Sequence, residues 1–339
     1  MESPVHQIYM ITGANSGLGY ALTKRLVAEV YIAKRQPMTV VMACRNEAKA
    51  KAAQSQLIQD LFDDEDEGRQ VLQILLVDLS KPTSVIQACA DFMKRFQRLD
   101  ILYLNAAILN ITGVNISNFF YNILTRPSYV AKTGGDAIDQ PRGLVTEDGL
   151  GLCFAANTFG HYIMIKELEP VLKAAQPSKV IYLTSTSAVP DYLSLDDYQG
   201  IESANPYESS KRLGCVVMLQ LAELLKSSGI YVCMASPGNI ASSIIENPII
   251  YACQIGALTM MRLAFASGCN FTCENGCTSL MYLRDIDPYT IDSKVIYHSD
   301  IWPWGNPFVK HLQFESPDMK LAEAAESLLH DLWSQYRVI

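Results

Sequence analysis

Ile8-Tyr9-Met10-Ile11-Thr12 runs directly into Gly13-Ala14-Asn15-Ser16-Gly17-Leu18-Gly19, after which Ala21, Leu22, Leu26 and Val27 recur at helical spacing. The order is strand, glycine turn, helix. Glycine lets the chain turn tightly and lets a diphosphate approach backbone N–H groups at a helix N-terminus, where the dipole favours negative charge. Gly13, Asn15, Ser16, Gly17, Leu18 and Gly19 are therefore read as the lining of a phosphate cradle. A glycine cluster alone says little, but between a strand and a helix at the start of a βαβ unit it points to a bound dinucleotide.

Further apolar runs follow at 38–43, 73–77, 101–104, 180–184 and 231–235, separated by helical patterns such as 85–96. Alternation of this kind predicts an α/β fold, a doubly wound parallel sheet with ligands at the carboxyl ends of its strands. What stands after each strand then matters most. Cys44-Arg45 follows the second; an acidic residue there would bind a ribose 2′-hydroxyl, whereas Arg45 suits the 2′-phosphate of NADP(H). Asp78-Leu79, after the third, is placed to meet an adenine, and Asn105-Ala106-Ala107 follows the fourth. Ser185 follows the fifth, and Ser236-Pro237-Gly238-Asn239-Ile240 the sixth, with Ser242 just beyond; Pro237, Gly238, Ile240 and Ser242 join the cofactor-binding candidates.

Asn205-Pro206-Tyr207-Glu208-Ser209-Ser210-Lys211 carries the chemistry. Asn205 is a candidate cap, Pro206 suits the first helical position, and Glu208 can reach back to the free backbone donors, so a helix is predicted to start here and continue to about 227. Tyr207 and Lys211 then project from one face, one turn apart. An ammonium near a phenol favours the phenolate, lowering a tyrosine pKa from about 10 toward working pH. Such a tyrosine can protonate a carbonyl oxygen or deprotonate an alcohol. The same spacing also describes a half-buried ring beside a solvated amine, and Asn157, polar within the apolar helical stretch 153–168, also reads as an ordinary hydrogen-bonding residue.

The 339 residues carry a net charge of -8 with 18% charged and 49% hydrophobic side chains, and no basic cluster that could follow a phosphate backbone. Nucleic acid is thereby excluded as a partner. The 9 cysteines are scattered through apparent core segments and no signal sequence precedes the first strand, so a reducing, cytosol-facing location is expected. Asn110, Asn115 and Asn270 then have no meaning as glycan acceptors. Cys269, Cys273 and Cys277 recur every fourth residue with no histidine nearby, which reads as reduced thiols rather than a metal site. The acidic run 63–67 is expected to solvate a loop. Residues 110–146, rich in Gly, Asn, Asp and Pro, read as a lid or binding insert, and 189–199 as a surface excursion. The apolar stretch 248–266, interrupted by Gln254 and Arg262, predicts amphipathic helices over the substrate mouth rather than a membrane span. A last strand is expected at 294–298. A C-terminal helix from Ser316-Pro317 would show Leu321, Ala325, Leu328, Leu332 and Tyr336 as its apolar stripe.

Taken in order, Thr12 to Gly19, Asn105-Ala106-Ala107, Asn157, Ser185, Tyr207, Lys211 and Pro237-Gly238 resemble the short-chain dehydrogenase/reductase family over residues 8–240. A closer likeness is to the 3-keto-sterol reductases of fungal ergosterol synthesis and their animal 17β-hydroxysteroid dehydrogenase relatives. It rests on Thr146-Glu147-Asp148-Gly149-Leu150, Asn157-Thr158-Phe159-Gly160-His161, Tyr192-Leu193-Ser194-Leu195 and Tyr207-Glu208-Ser209-Ser210-Lys211-Arg212. The resemblance implies one Rossmann-type domain over 1–339, with a core at 8–240, an insert at 109–146, a substrate-cover region at 241–315 and a C-terminal helix at 317–336. It implies NADPH-dependent reduction of a sterol 3-ketone during C4 demethylation, with Tyr207 as proton donor and Ser185 holding the substrate oxygen. Lys211 would lower the tyrosine pKa and bind the nicotinamide ribose, and Asn157 would anchor a relay water. It further implies peripheral membrane contact at the cytosolic face of the endoplasmic reticulum or at lipid droplets, a sterol C4-demethylation complex, and homo-oligomers through the helices after Asn157 and Tyr207. Two departures stand out: Leu104-Asn105-Ala106-Ala107 replaces Asn-Asn-Ala-Gly, and Ser16 stands where a basic residue is common. The alternatives are a steroid or triterpenoid dehydrogenase of secondary metabolism and a catalytically retired NADP(H)-binding scaffold.

Overall fold

Seven parallel strands and one antiparallel edge strand form the central sheet in the order β8-β7-β6-β5-β4-β1-β2-β3. They are β1 (Gln7–Thr12), β2 (Met38–Cys44), β3 (Leu72–Leu76), β4 (Ile101–Leu104), β5 (Ser178–Leu183), β6 (Ile230–Ser236), β7 (Val295–Ile301) and β8 (Pro307–Gln313). The computed structural model describes residues 5–126, 138–240, 269–302, 305–315 and 318–337. Helices cover both faces of the sheet, so inner strands such as β2 and β5 are buried along their whole length and read as unbroken apolar runs. The helices α1 (Gly17–Leu26), α2 (Glu47–Leu61) and α6 (Thr278–Asp285) share one core with one face of the sheet. On the other face lie α3 (Pro82–Arg95), α4 (Gly160–Ala174), α5 (Pro206–Lys226) and α7 (Met319–Arg337). The strand order reverses between β1 and β4, which opens a crevice beyond their carboxyl ends.

Several elements differ from what the sequence suggested. The acidic run folds: Asp64 accepts a hydrogen bond from Asp66 N at 2.8 Å and starts the helix Glu65–Val71. Its carboxylates stand in the first turn, where the helix dipole is positive, so like charges are tolerated there. Leu193, Leu195 and Tyr198 of the 189–199 stretch pack half-buried against the core rather than lying free on the surface. The last expected strand runs on to Ile301, and β8 then adds an antiparallel edge whose half-exposed Pro-Phe-Val-Lys-His-Leu-Gln pattern gives little apolar signal. The buried face of α7 is Ala322, Ala325, Leu329 and Trp333, with Leu328, Leu332 and Tyr336 flanking it, so the stripe is rotated to bury the tryptophan.

Within the insert, Gly113–Val114 pairs antiparallel with Ile138–Asp139 beside the helix Ile116–Thr125. The stretch 248–266 lies outside the described residues. Among the described residues no helix is long and apolar enough to cross a membrane, and no cluster of side chains could hold a metal ion.

Helix α4 begins at Gly160, where an added Cβ would collide with the backbone oxygen of Leu79. That oxygen belongs to the turn after β3 and cannot swing away as a side-chain end could. Gly160→Ala is therefore expected to destabilise the fold by about 1–3 kcal/mol through overpacking. Urea unfolding checks this, and an unchanged midpoint would show that the helix and the turn are free to separate.

Candidate active site

The turn after β1 begins with Thr12, whose buried hydroxyl accepts from Asn105 N at 2.8 Å and Ala106 N at 2.9 Å, while Asn105 Nδ2 donates to Thr12 O at 2.8 Å. These bonds join the ends of β1 and β4 across the crevice. With both N–H groups pointing at it, the Thr12 hydroxyl has its own proton left for His161 Nε2 at 3.1 Å, and His161 Nδ1–H donates to Asn157 O at 3.2 Å. Gly13 stands at φ +68. At Gly19 a Cβ would strike Gly13 O, so only glycine lets α1 approach this closely. Ser16, the residue before α1, makes no side-chain cap, and the first N–H groups of a helix have no intrahelical partner. A close backbone approach and uncapped donors suit a diphosphate. Asn15, Gly17 and Leu18 complete the turn, with Leu18 buried beneath it.

The other candidate cofactor residues stand along the same edge of the sheet. Arg45 is exposed just past β2. The Asp78 carboxylate accepts from Ser80 N at 3.0 Å and Ser80 Oγ at 2.7 Å, and Leu79 is buried beside it. Pro237, Gly238 and Ile240 follow β6, held where Asn270 Nδ2 donates to Pro237 O at 2.6 Å and to Ser299 O at 2.7 Å. Cys269–Phe271 pairs with Asn239–Ile240, so the two stems flanking 241–268 lie side by side. Ser242 lies outside the described residues. Of the three-cysteine run, Cys273 is half-buried and Cys277 buried, both as free thiols.

Ser185, just beyond β5, shares a 2.9 Å hydrogen bond with Ser187 Oγ and accepts from Ser187 N at 3.2 Å. Its hydroxyl also faces the Tyr207 phenol closely enough to favour the phenolate. Lys211 is buried; its ammonium donates to Leu183 O at 2.8 Å and lies 5.2 Å from the Tyr182 ring centroid and 6.0 Å from that of Tyr207. Burial pulls the Lys211 pKa down from 10.5 to about 8. The expectation for Tyr207 is corrected here: burial, reinforced by the Glu208 charge, raises its pKa, and only the Ser185 contact opposes that. Desolvation outweighs that single opposing contact, so the phenol keeps its proton at neutral pH.

Asn157 lies in a π-helical turn, Ala155–Phe159, that leads into α4. Such turns free backbone groups from the regular ladder and occur at functional sites. The Asn157 side chain clamps the loop after β4, accepting from Ile108 N at 2.7 Å and donating to Ile108 O at 3.0 Å, and also donates to Ser210 Oγ on α5 at 3.0 Å. Its main-chain carbonyl accepts from His161 Nδ1 and from Tyr182 OH at 3.3 Å.

The cap of α5 also differs from expectation. The Asn205 side chain does not cap; instead Gln140, from the insert, accepts from Tyr207 N at 3.1 Å and donates to Glu208 Oε2 at 2.6 Å. A partner 67 residues away leaves no sequence signal. Tyr182 and His161 were likewise missed, because a buried tyrosine in a strand and a histidine in an apolar helix both look like ordinary core residues.

Residues 7–125 match the family model for short chain dehydrogenase. The chain is 32% identical over 309 residues to human 3-keto-steroid reductase/17-beta-hydroxysteroid dehydrogenase 7, covering 90% of this chain and 87% of that protein. The chain is a short-chain dehydrogenase/reductase. Another relative, a 3-keto-steroid reductase of Schizosaccharomyces pombe, is 32% identical over 252 residues, 72% of each chain. The crystal structure of NADPH-bound carbonyl reductase from chicken fatty liver superposes with a TM-score of 0.55 at 18% identity, over 91% of this chain and 100% of that one. As a short-chain dehydrogenase/reductase, the chain is an oxidoreductase acting on a CH–OH group with a nicotinamide cofactor. The glycine turn and the uncapped start of α1 fit such a dinucleotide.

Burial, aided by the Lys211 charge, lowers the His161 pKa from 6.5 to about 3. The unfolded chain takes up this proton as pH falls through 6.5 but the folded chain does not until about 3, so stability should drop across that window. His161→Gln should lack this component. Its urea midpoint should gain on that of the native protein between about pH 7 and about pH 4. A gap that does not change with pH would mean His161 is not the neutral group that joins Thr12 to Asn157.

Proposed function

We propose that this short-chain dehydrogenase/reductase reduces the 3-ketone of a sterol to the 3-hydroxyl with NADPH, as a step of sterol C4 demethylation. The observation that carries the reading is the meeting of Ser185, Tyr207 and Lys211 at the edge of the sheet that also holds the glycine turn. Relatives whose names state 3-keto-steroid reduction, matched over most of their length, support the substrate class. Arg45 at the end of β2 supports NADP(H) over NAD(H), since a guanidinium there offers charge to a 2′-phosphate where a carboxylate would repel it.

The bound cofactor supplies the hydride. Ser185 holds the ketone oxygen by a hydrogen bond and keeps it against the Tyr207 hydroxyl. Tyr207, a phenol at working pH, donates its proton to that oxygen as charge grows on it. Lys211 stands one turn away and stabilises the phenolate this leaves, and also binds the nicotinamide ribose. Asn157 fastens the loop after β4 to α5 and so sets the distance between the cofactor turn and the reacting groups. The insert 109–146 and the region 241–315 cover the sterol. Tyr121 and Leu124, 66% and 83% exposed on the helix Ile116–Thr125, favour an apolar neighbour such as the sterol-bearing cytosolic face of the endoplasmic reticulum or a lipid droplet.

Purified protein with NADPH and a 3-keto-4-methylsterol should show substrate-dependent loss of the nicotinamide absorbance. Tyr207→Phe should lower kcat by about 10²–10⁴-fold. Ser185→Ala should lower it by about 10²–10³-fold. Full turnover in Tyr207→Phe would remove the phenol from the reaction. Arg45→Asp should raise KM for NADPH while sparing NADH; an unchanged ratio would defeat the cofactor assignment.

A further inference from the structure

Arg212 follows Lys211 on α5, and the residue is 3% exposed. It is held by three things: Nη2 donates to Glu315 O at 2.6 Å, Nη1 donates to Ala188 O at 3.5 Å, and Cζ lies 4.3 Å from the centroid of the Phe314 ring. Phe314 is itself buried and fixed by a hydrogen bond from its N–H to Lys294 O at 2.9 Å, next to β7. Ala188 closes the turn that carries Ser185, with Ala188 N donating to Ser185 O at 3.2 Å and Val189 N to Ser187 O at 2.8 Å.

Two consecutive residues of α5 therefore grip the chain on either side of Ser185. Lys211 holds the carbonyl of Leu183, at the end of β5, and Arg212 that of Ala188, at the end of the turn. A guanidinium buried against backbone carbonyls is costly, and Arg212 Nε is buried without a hydrogen-bond partner. Filling space would not require it, since an apolar side chain of similar volume would do that without stranding a donor. What the planar fork supplies is reach to two carbonyls at once with a flat face for the aromatic ring, which an ammonium cannot match.

We propose that Arg212 is a positioning residue for the reaction: it sets the Ser185 hydroxyl against Tyr207 by binding the Ser185 turn and the Phe314–Glu315 segment to the catalytic helix. The C-terminal part of the chain thereby becomes part of the active-site architecture without touching substrate. This rests on the roles proposed above for Ser185 and Tyr207.

The test uses the full-length Arg212→Lys, Arg212→Met and Phe314→Ala variants, with hydrogen–deuterium exchange of the 185–189 peptide measured beside steady-state kinetics with NADPH and the 3-keto-sterol. Expected are faster exchange at Ala188 and Val189, with the rest of the sheet protected as in the native protein, and a fall in kcat on the order of 10–10²-fold with KM for NADPH held within about two-fold, as misplacement of a reacting group requires. Phe314→Ala should show the same pattern more weakly, and it stands in if the arginine variants fail to fold. Native exchange in the 185–189 peptide of folded variants would overturn the clamp, as would a kcat loss that only tracks the folded fraction. Exchange is read without turnover, so a native protein inactive on 3-keto-sterols would defeat the substrate reading and still leave the clamp decided.

Discussion

A buried ammonium fixes the geometry of the site. Lys211 donates to the Leu183 carbonyl and faces the rings of Tyr182 and Tyr207, and burial has already drawn its pKa to about 8. A charge in such a place tolerates little movement, because sliding or rotating α5 would strand it without a carbonyl or a ring face. Tyr207, one turn earlier on the same helix, inherits that constraint. Burial pushes both groups toward their neutral forms, so the resting phenol holds a proton to give. In the proposed reaction the nearby ammonium would stabilise the phenolate left after the proton is given, while burial dominates the resting phenol.

The second constraint runs from the cofactor turn to the same helix. Thr12 gathers the Asn105 and Ala106 N–H groups and donates a hydrogen bond to His161, which donates one to the carbonyl of Asn157. From Asn157 the side chain reaches Ser210, whose hydroxyl donates to Tyr207 O at 2.7 Å. A buried neutral histidine suits this path, since each ring nitrogen has one defined role. The π turn at Ala155–Phe159 makes it feasible by freeing a carbonyl that a regular helix would have used internally. Gly214 adds the last allowance: a Cβ there would occupy the space of the Tyr182 hydroxyl, which is how that ring comes to lie beneath Lys211.

The sequence was legible where local chemistry decides the structure. Apolar runs buried on both faces became strands within a residue or two of where they were read, and the glycine turn could be nothing else once strand and helix bracketed it. It was illegible where the deciding partner is distant. Asn205, Pro206 and Glu208 make a convincing local cap, yet Gln140 takes the position, and nothing near Asn205 could announce it. The acidic run reads as loop by its charge alone, and the helix dipole that begins at Asp64 is what lets it fold. Mutual attraction set the expected shift of Tyr207, whereas desolvation of the half-buried ring acts in the opposite direction.

The C-terminal helix shows how a shifted stripe changes an argument about surfaces. Rotated to bury Trp333, α7 lies along α5 and is tied to α4 through Tyr162 OH donating to Glu326 at 2.7 Å and Trp333 Nε1 donating to Glu167 at 2.8 Å. Ala322 and Ala325 are the small residues that let it come close. The helices after Asn157 and Tyr207, expected from the family resemblance to meet a second copy, already meet α7 on this face. Displacing α7 from there would expose Trp333 and Leu329, about 1.5–3 kcal/mol of burial for each large apolar side chain, and break two part-buried hydrogen bonds. The chain's own C-terminal helix therefore lies on that face, and through Phe314 and Arg212 the segment before it reaches the turn that carries Ser185.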